Sequence, residues 1–135
     1  MGKKYLILLF VMSALLSGCA TVSTSEGMDS VIKKYRQDSI KGDEKVINGS
    51  YEETFLATVK LLNPQIMKKD YDNKVILCNL DAFKWRLYSP LLVFFYEEGP
   101  DKTKIVIKGK NLAMVPYLPQ KISDEVELTK KLGQK

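Results

Sequence analysis

Phe55, Leu56, Val59 and Leu62 recur at the spacing of one helical face. The residues around them mark where that helix starts and stops. Ser50-Tyr51-Glu52-Glu53 has the form of a capping box, in which the serine hydroxyl accepts from the third amide and the glutamate reaches back. Asn63-Pro64 ends the run, because proline pushes the residue before it out of helical geometry. The pattern predicts a helix over residues 51–62. Val46 and Ile47 predict a short strand before it, with Asn48-Gly49 as the turn between.

After the helix the pattern changes to that of strands. Gln65–Lys69 reads as a short strand, Asp70–Lys74 as a turn, and Val75–Leu80 as a strand that begins β-branched. Trp85, Leu87 and Tyr88 suggest a further strand, interrupted at Ser89-Pro90. Leu91–Tyr96 is continuously apolar, as expected of a strand covered on both faces. Core is therefore the favoured reading of Phe94 and Phe95 over an exposed partner site. Glu97–Lys102 predicts a turn and Thr103–Lys108 a returning hairpin strand. Pro116 and Pro119 predict loop from Asn111 to Lys121. Ser123-Asp124-Glu125 then opens a last helix, with Val126, Leu128 and Leu132 as its apolar side, Glu127 and Lys131 spaced to pair, and Gly133 at its end.

These elements predict an α+β fold of two layers. An antiparallel sheet of about four strands carries one main helix across it, with a C-terminal helix besides. The folded domain is expected to span residues 45–135. The order is similar to that of small α+β lipoprotein domains, such as those of the outer-membrane β-barrel assembly machine. The likeness is of architecture only and implies no function.

The other end of the chain carries a different pattern. Lys3 and Lys4 precede Tyr5–Leu16, an apolar run of secretory length that is short for a bilayer-spanning helix. Leu16, Ser17, Gly18 and Cys19 follow in order. This segment resembles the lipobox signal peptide of bacterial lipoproteins. The resemblance covers only these residues, and it implies removal of residues 1–18 and lipidation of the Cys19 thiol by acyl chains such as palmitate. Each buried CH₂ contributes about 0.8 kcal/mol, so two or three chains anchor durably. Ala20 stands where an aspartate would imply inner-membrane retention. The resemblance therefore implies the periplasmic face of the outer membrane, if the organism has one. Residues 19–44 read as a lipidated tether. Met28, Val31, Ile32 and Tyr35 fall at helical spacing there, with Asp29 or Ser30 as caps, and Lys33, Lys34 and Arg36 are placed to meet anionic headgroups. A solvated charged segment is the simpler reading of that stretch.

Composition narrows the chemistry. The 135 residues are 45% hydrophobic and 27% charged, an ordinary globular balance, with a formal charge of +5. Loss of residues 1–18 would take Lys3 and Lys4 with it and leave the balance mildly basic. There is no histidine, which removes the commonest general base and metal ligand. Cys19 and Cys78 are the two cysteines, and Cys78 sits in an apolar strand, where a buried, inert thiol is expected. The acidic pairs Glu52/Glu53 and Glu97/Glu98 are better explained by capping and solubility than by catalysis. Asp70, Asp72 and Asn73 make only a fragment of a calcium loop. No catalytic residue, metal or cofactor is called for, and an enzyme is not expected.

What remains is surface. Lys102, Lys104, Lys108 and Lys110 form a candidate anion-binding patch, because the last three share strand parity; Lys68, Lys69 and Lys74 are candidates to extend it. Edge protection by lysine is the simpler reading. Phe83, Trp85 and Tyr88 beside Lys84 and Arg86 have the mix used on single-stranded nucleic acid, but an exported protein rarely meets it. The expected partners are a membrane, through the lipid on Cys19, and an envelope protein. No nucleic acid and no small-molecule substrate is indicated. The expected function is that of an envelope lipoprotein serving as a non-catalytic interaction or assembly module. The alternative is a binder of lipid, lipopolysaccharide or glycan through the lysine-rich strand.

Overall fold

The Ser50 hydroxyl accepts from the Glu53 amide at 3.1 Å, and the Glu53 carboxylate accepts from the Ser50 amide at 3.0 Å. This closed pair starts a helix at Tyr51 that ends at Leu62. In a computed structural model, residues 25–79, 89–110, 112 and 116–133 are described. They form three helices and five strands in the order α1 (Ser25–Tyr35), β1 (Asp43–Ile47), α2 (Tyr51–Leu62), β2 (Ile66–Asp70), β3 (Val75–Asn79), β4 (Pro90–Gly99), β5 (Lys102–Gly109) and α3 (Leu118–Gly133). The chain divides into two compact units, residues 1–34 and 35–135.

In the first unit, α1 takes up the helical spacing of Met28, Val31 and Ile32. It starts at Ser25, so Asp29 and Ser30 lie within it rather than capping it. Met28, Val31 and Ile32 are the less exposed side chains, and Lys33 and Lys34 lie in its last turn.

The second unit is α+β. Its sheet is wholly antiparallel, in the order β1-β5-β4-β3-β2. Five strands form rather than about four, because both short segments expected at 46–47 and 65–69 join the sheet, as Asp43–Ile47 and Ile66–Asp70. β1 joins across the sheet to β5, with Ile47 opposite Thr103. The strand expected around Trp85 lies outside the described residues. β4 sits in the middle of the sheet, and Leu91–Phe95 are at most 2% exposed, as its unbroken apolar run predicts.

Alternation along the strands divides the side chains between two faces. The inner face carries Ile76, Cys78, Leu91, Val93, Phe95, Ile105 and Ile107, which cluster with Tyr51, Phe55, Ala57 and Leu62 of α2 and Leu118, Ile122 and Val126 of α3. Tyr51, Phe55 and Phe95 pack ring against ring, with centroids 5.3–5.7 Å apart. Edge and tilted arrangements of this kind add to area burial.

Both helices differ in detail from the expected apolar faces. Leu56 is exposed, and the fully buried Thr54 and Thr58 take its place. Their hydroxyls donate to the Ser50 and Thr54 carbonyls at 2.8 Å, so no donor is left unpaired. α3 starts at Leu118, not Ser123, because proline is tolerated in a first helical turn and Pro119 therefore does not bar it. Ser123 lies inside the helix and its first turn carries no acid. Leu128 and Leu132 are exposed, and Leu118, Ile122 and Val126 form the buried stripe. Glu125 of α3 meets Lys60 of α2 at 2.6 Å.

Candidate functional site

The outer face of the sheet starts as apolar as the inner one. Val75, Leu77, Leu92 and Phe94 are fully buried. Along β5 the same face reads Lys104, Val106, Lys108, opposite Tyr96, Phe94 and Leu92 of β4 and, on the other side, Val46 and Glu44 of β1. Two lysines are thus built into a strand flanked on both sides.

Lys108 is 5% exposed. Its ammonium donates to the Gln37 carbonyl at 3.0 Å and lies 5.6 Å from the centre of the Phe94 ring. The Arg36 guanidinium lies 5.0 Å from the same ring and donates to the Asn73 carbonyl at 3.0 Å. Two cations thus face one aromatic ring, an arrangement that strengthens as water is excluded. Lys104 lies 5.4 Å from the centre of the Tyr96 ring.

The segment between Tyr35 and β1 runs against this face. The Ile40 amide donates to the Gln37 carbonyl at 3.1 Å, which folds the segment into a turn. At Gly42 it presses on β5 so closely that a side chain would collide with the Ile107 carbonyl oxygen. Between turn and sheet lies a cleft of about 320 Å³, lined by Asp38, Ile40, Lys41, Gly42, Glu44, Tyr96, Lys104, Val106 and Lys108. Five of these are charged, three positive and two negative. None of the five forms an ion pair with another within 4.0 Å.

Of the candidate patch, Lys104 and Lys108 come together in this cleft. Lys102 and Lys110 are exposed and do not line it. Edge protection does not account for these lysines, since β5 lies between β1 and β4. Lys68 and Lys69 lie on β2, at the far edge of the sheet. Lys74, in the β2–β3 turn, is 3.9 Å from Glu97 and 5.6 Å from the centre of the Tyr51 ring. Asp38, Lys41, Glu44 and Tyr96 were not singled out as site residues from the sequence. The hairpin register could have placed Tyr96 beside Lys104, but nothing local brings residues 38–44 to β5.

The remaining candidates have structural settings. Burial pushes the Cys78 thiol up to about 12, so it is a poor nucleophile. Asp70 accepts from the Asn73 side-chain and backbone nitrogens at 2.8 and 3.1 Å, and these bonds hold its carboxyl below the usual range. Glu53 is lowered by its bond from the Ser50 amide. Among the described residues no group of three or more Cys, Asp or Glu side chains is gathered as metal ligands. Leu16, Ser17, Gly18, Cys19 and the aromatic–basic stretch 83–88 lie outside the described residues.

No helix among the described residues is long and apolar enough to cross a membrane. No protein family, curated protein or solved structure matches the chain at a significant level.

Proposed function

We propose that this protein is a lipid-anchored component of a bacterial envelope, whose α+β unit serves as a non-catalytic interaction or assembly module. The observation that carries this reading is Leu16-Ser17-Gly18-Cys19, placed directly after the lysine pair and the apolar run. Acyl chains on Cys19 would hold the folded unit at a membrane surface and raise the local concentration of any partner there. Ala20 favours the outer membrane.

The sheet offers one edge for a partner strand. β2 is guarded by Lys68, Lys69 and an irregular register between Ile66 and Lys68. β1 carries Asp43, Glu44 and Lys45 but pairs in a regular register without a bulge, and its Val46 is 46% exposed. A partner strand could add there through main-chain hydrogen bonds. Crosslinking in intact envelopes should recover one dominant protein, and Cys19→Ala should release the chain and lose it. No partner at native expression, or a bare Cys19 thiol on mass spectrometry of the mature protein, would overturn the reading.

The cleft on β5 favours a second reading, binding of a lipid headgroup or glycan. Retention of the full-length chain on anionic vesicles should fall as salt rises and after charge reversal at Lys104. Retention indifferent to both would remove it.

A further inference from the structure

The cleft beside β5 holds unpaired charge of both signs. Glu44 faces Val106 across the β1–β5 ladder, and Val106 stands between Lys104 and Lys108 on the same face. Asp38 and Lys41 enter from the turn opposite. Lys108 carries three N–H donors, and among the described residues only the Gln37 carbonyl accepts from one of them. A buried ammonium without a counter-charge is costly, and a ligand anion would relieve that cost. Lysines alone would suit any anion. Glu44 and Asp38 change this, because two carboxylates at the same cleft repel a simple anion and attract a cation.

We propose that this cleft binds a small zwitterion, a phosphate or carboxylate with a protonated amine a few bonds away. The anionic group sits between Lys104 and Lys108, and the amine faces Glu44 and Asp38. The volume of about 320 Å³ is at the small end of ligand sites and fits such a molecule or the end of a longer one. Two sources share this chemistry: a phosphoethanolamine headgroup and a free dipeptide, which carries both its amine and its carboxylate. The proposal shares with the second reading above the premise that this cleft binds a ligand. Its headgroup source deepens that reading, whereas a dipeptide source would replace it. The anchor is tested separately at Cys19, so either idea can fail alone.

The test is calorimetric titration of the full-length chain in non-ionic detergent with four probes: O-phosphoethanolamine, the dipeptide alanyl-alanine, inorganic phosphate and ethanolamine. At least one zwitterion should bind tenfold or more tightly than phosphate or ethanolamine. Preference for phosphoethanolamine assigns a headgroup, and preference for the dipeptide assigns a free dipeptide. Glu44→Gln should weaken the zwitterion at least fivefold and leave phosphate unchanged or tighter, and Lys104→Gln should weaken both. Both residues reach solvent, so these variants should keep the parent circular dichroism spectrum. No binding of either zwitterion, phosphate binding as tight as the zwitterion's, or indifference to Glu44→Gln would each overturn the proposal.

Discussion

The two faces of the sheet bury their strands almost equally, yet they are made of different chemistry. On the inner face Ile76, Val93, Phe95, Ile105 and Ile107 meet the apolar stripes of α2 and α3, and the aromatic trio of Tyr51, Phe55 and Phe95 fills the centre. On the outer face Val75, Leu77, Leu92 and Phe94 are just as inaccessible, but Arg36 and Lys108 bring charge to the Phe94 ring. The unbroken apolar run of β4 supplies both faces and cannot tell them apart. The difference is written on β5, where Ile105 and Ile107 point inward and Lys104 and Lys108 outward. The inner face thus has the composition of a stabilising core. The outer face combines burial with charges of both signs that form no ion pair with one another within 4.0 Å.

The largest expected effect tests the inner side of this contrast. Phe95→Ala should lower stability by about 3–5 kcal/mol, because it leaves a cavity beneath Tyr51 and Phe55. Tyr96→Ala, next in sequence but 39% exposed on the outer face, should cost less than about 1.5 kcal/mol. Urea unfolding followed by circular dichroism measures both. The Cys78 thiol is a second gauge of the inner face, since it is fully buried and held up to about 12. A thiol reagent at mild pH should label Cys78 only through opening of the fold, and Phe95→Ala should speed that labelling many-fold. Equal losses at the two adjacent positions would remove the distinction between faces.

A smaller effect lies at the start of α2, which carries Tyr51 and Phe55 to the inner face. Ser50→Ala removes the hydroxyl that caps the helix and should cost about 1 kcal/mol in thermal or denaturant unfolding. The same cap predicts a pH dependence. The bond from the Ser50 amide lowers the folded-state pKa of Glu53 below its unfolded value. Its contribution is therefore present above the ordinary glutamate range and fades as pH falls through the lowered folded value. Asp70 is lowered by its bonds to Asn73 and acts in the same direction. Stability should decline on acidification below about pH 4.5, and Glu53→Gln should make that decline shallower.

The sequence shows local structure well and distant pairing poorly. The capping box and Asn63-Pro64 bound α2 at its observed residues because each acts within one helical turn. The buried character of β4 is legible because five consecutive apolar residues leave no solvent face. The start of α3 is not legible, since Pro119 breaks a helix interior but suits a first turn, and the two cases look alike in sequence. Leu56 and Thr58 exchange roles for a similar reason, as hydroxyls satisfied by a preceding carbonyl can be buried at little cost. The cleft is the least legible part. It depends on β1 crossing to pair with β5 and on the turn at Gln37–Ile40 returning to the sheet, and neither is encoded near the lysines.

The smallest expected effect is the most informative about the outer face. Lys108→Met keeps a long unbranched stem against Phe94 and deletes only the ammonium. The lost terms are one charge-assisted hydrogen bond to Gln37, worth about 1.5–3 kcal/mol, and a cation–ring contact worth about 0.5–2 kcal/mol. Against them stands relief from holding a charge out of water without a carboxylate beside it. The sum should lie within about 1 kcal/mol of zero in denaturant unfolding, whereas Lys108→Ala, which also deletes the stem, should cost more. A near-zero result would mean that stability does not account for the charge at this position, which leaves recognition as its use. A loss above about 3 kcal/mol in the methionine variant would mean that the ammonium fastens the turn at Gln37 to the sheet. The outer face would then be a second structural core, and the contrast between the two faces would be one of composition alone.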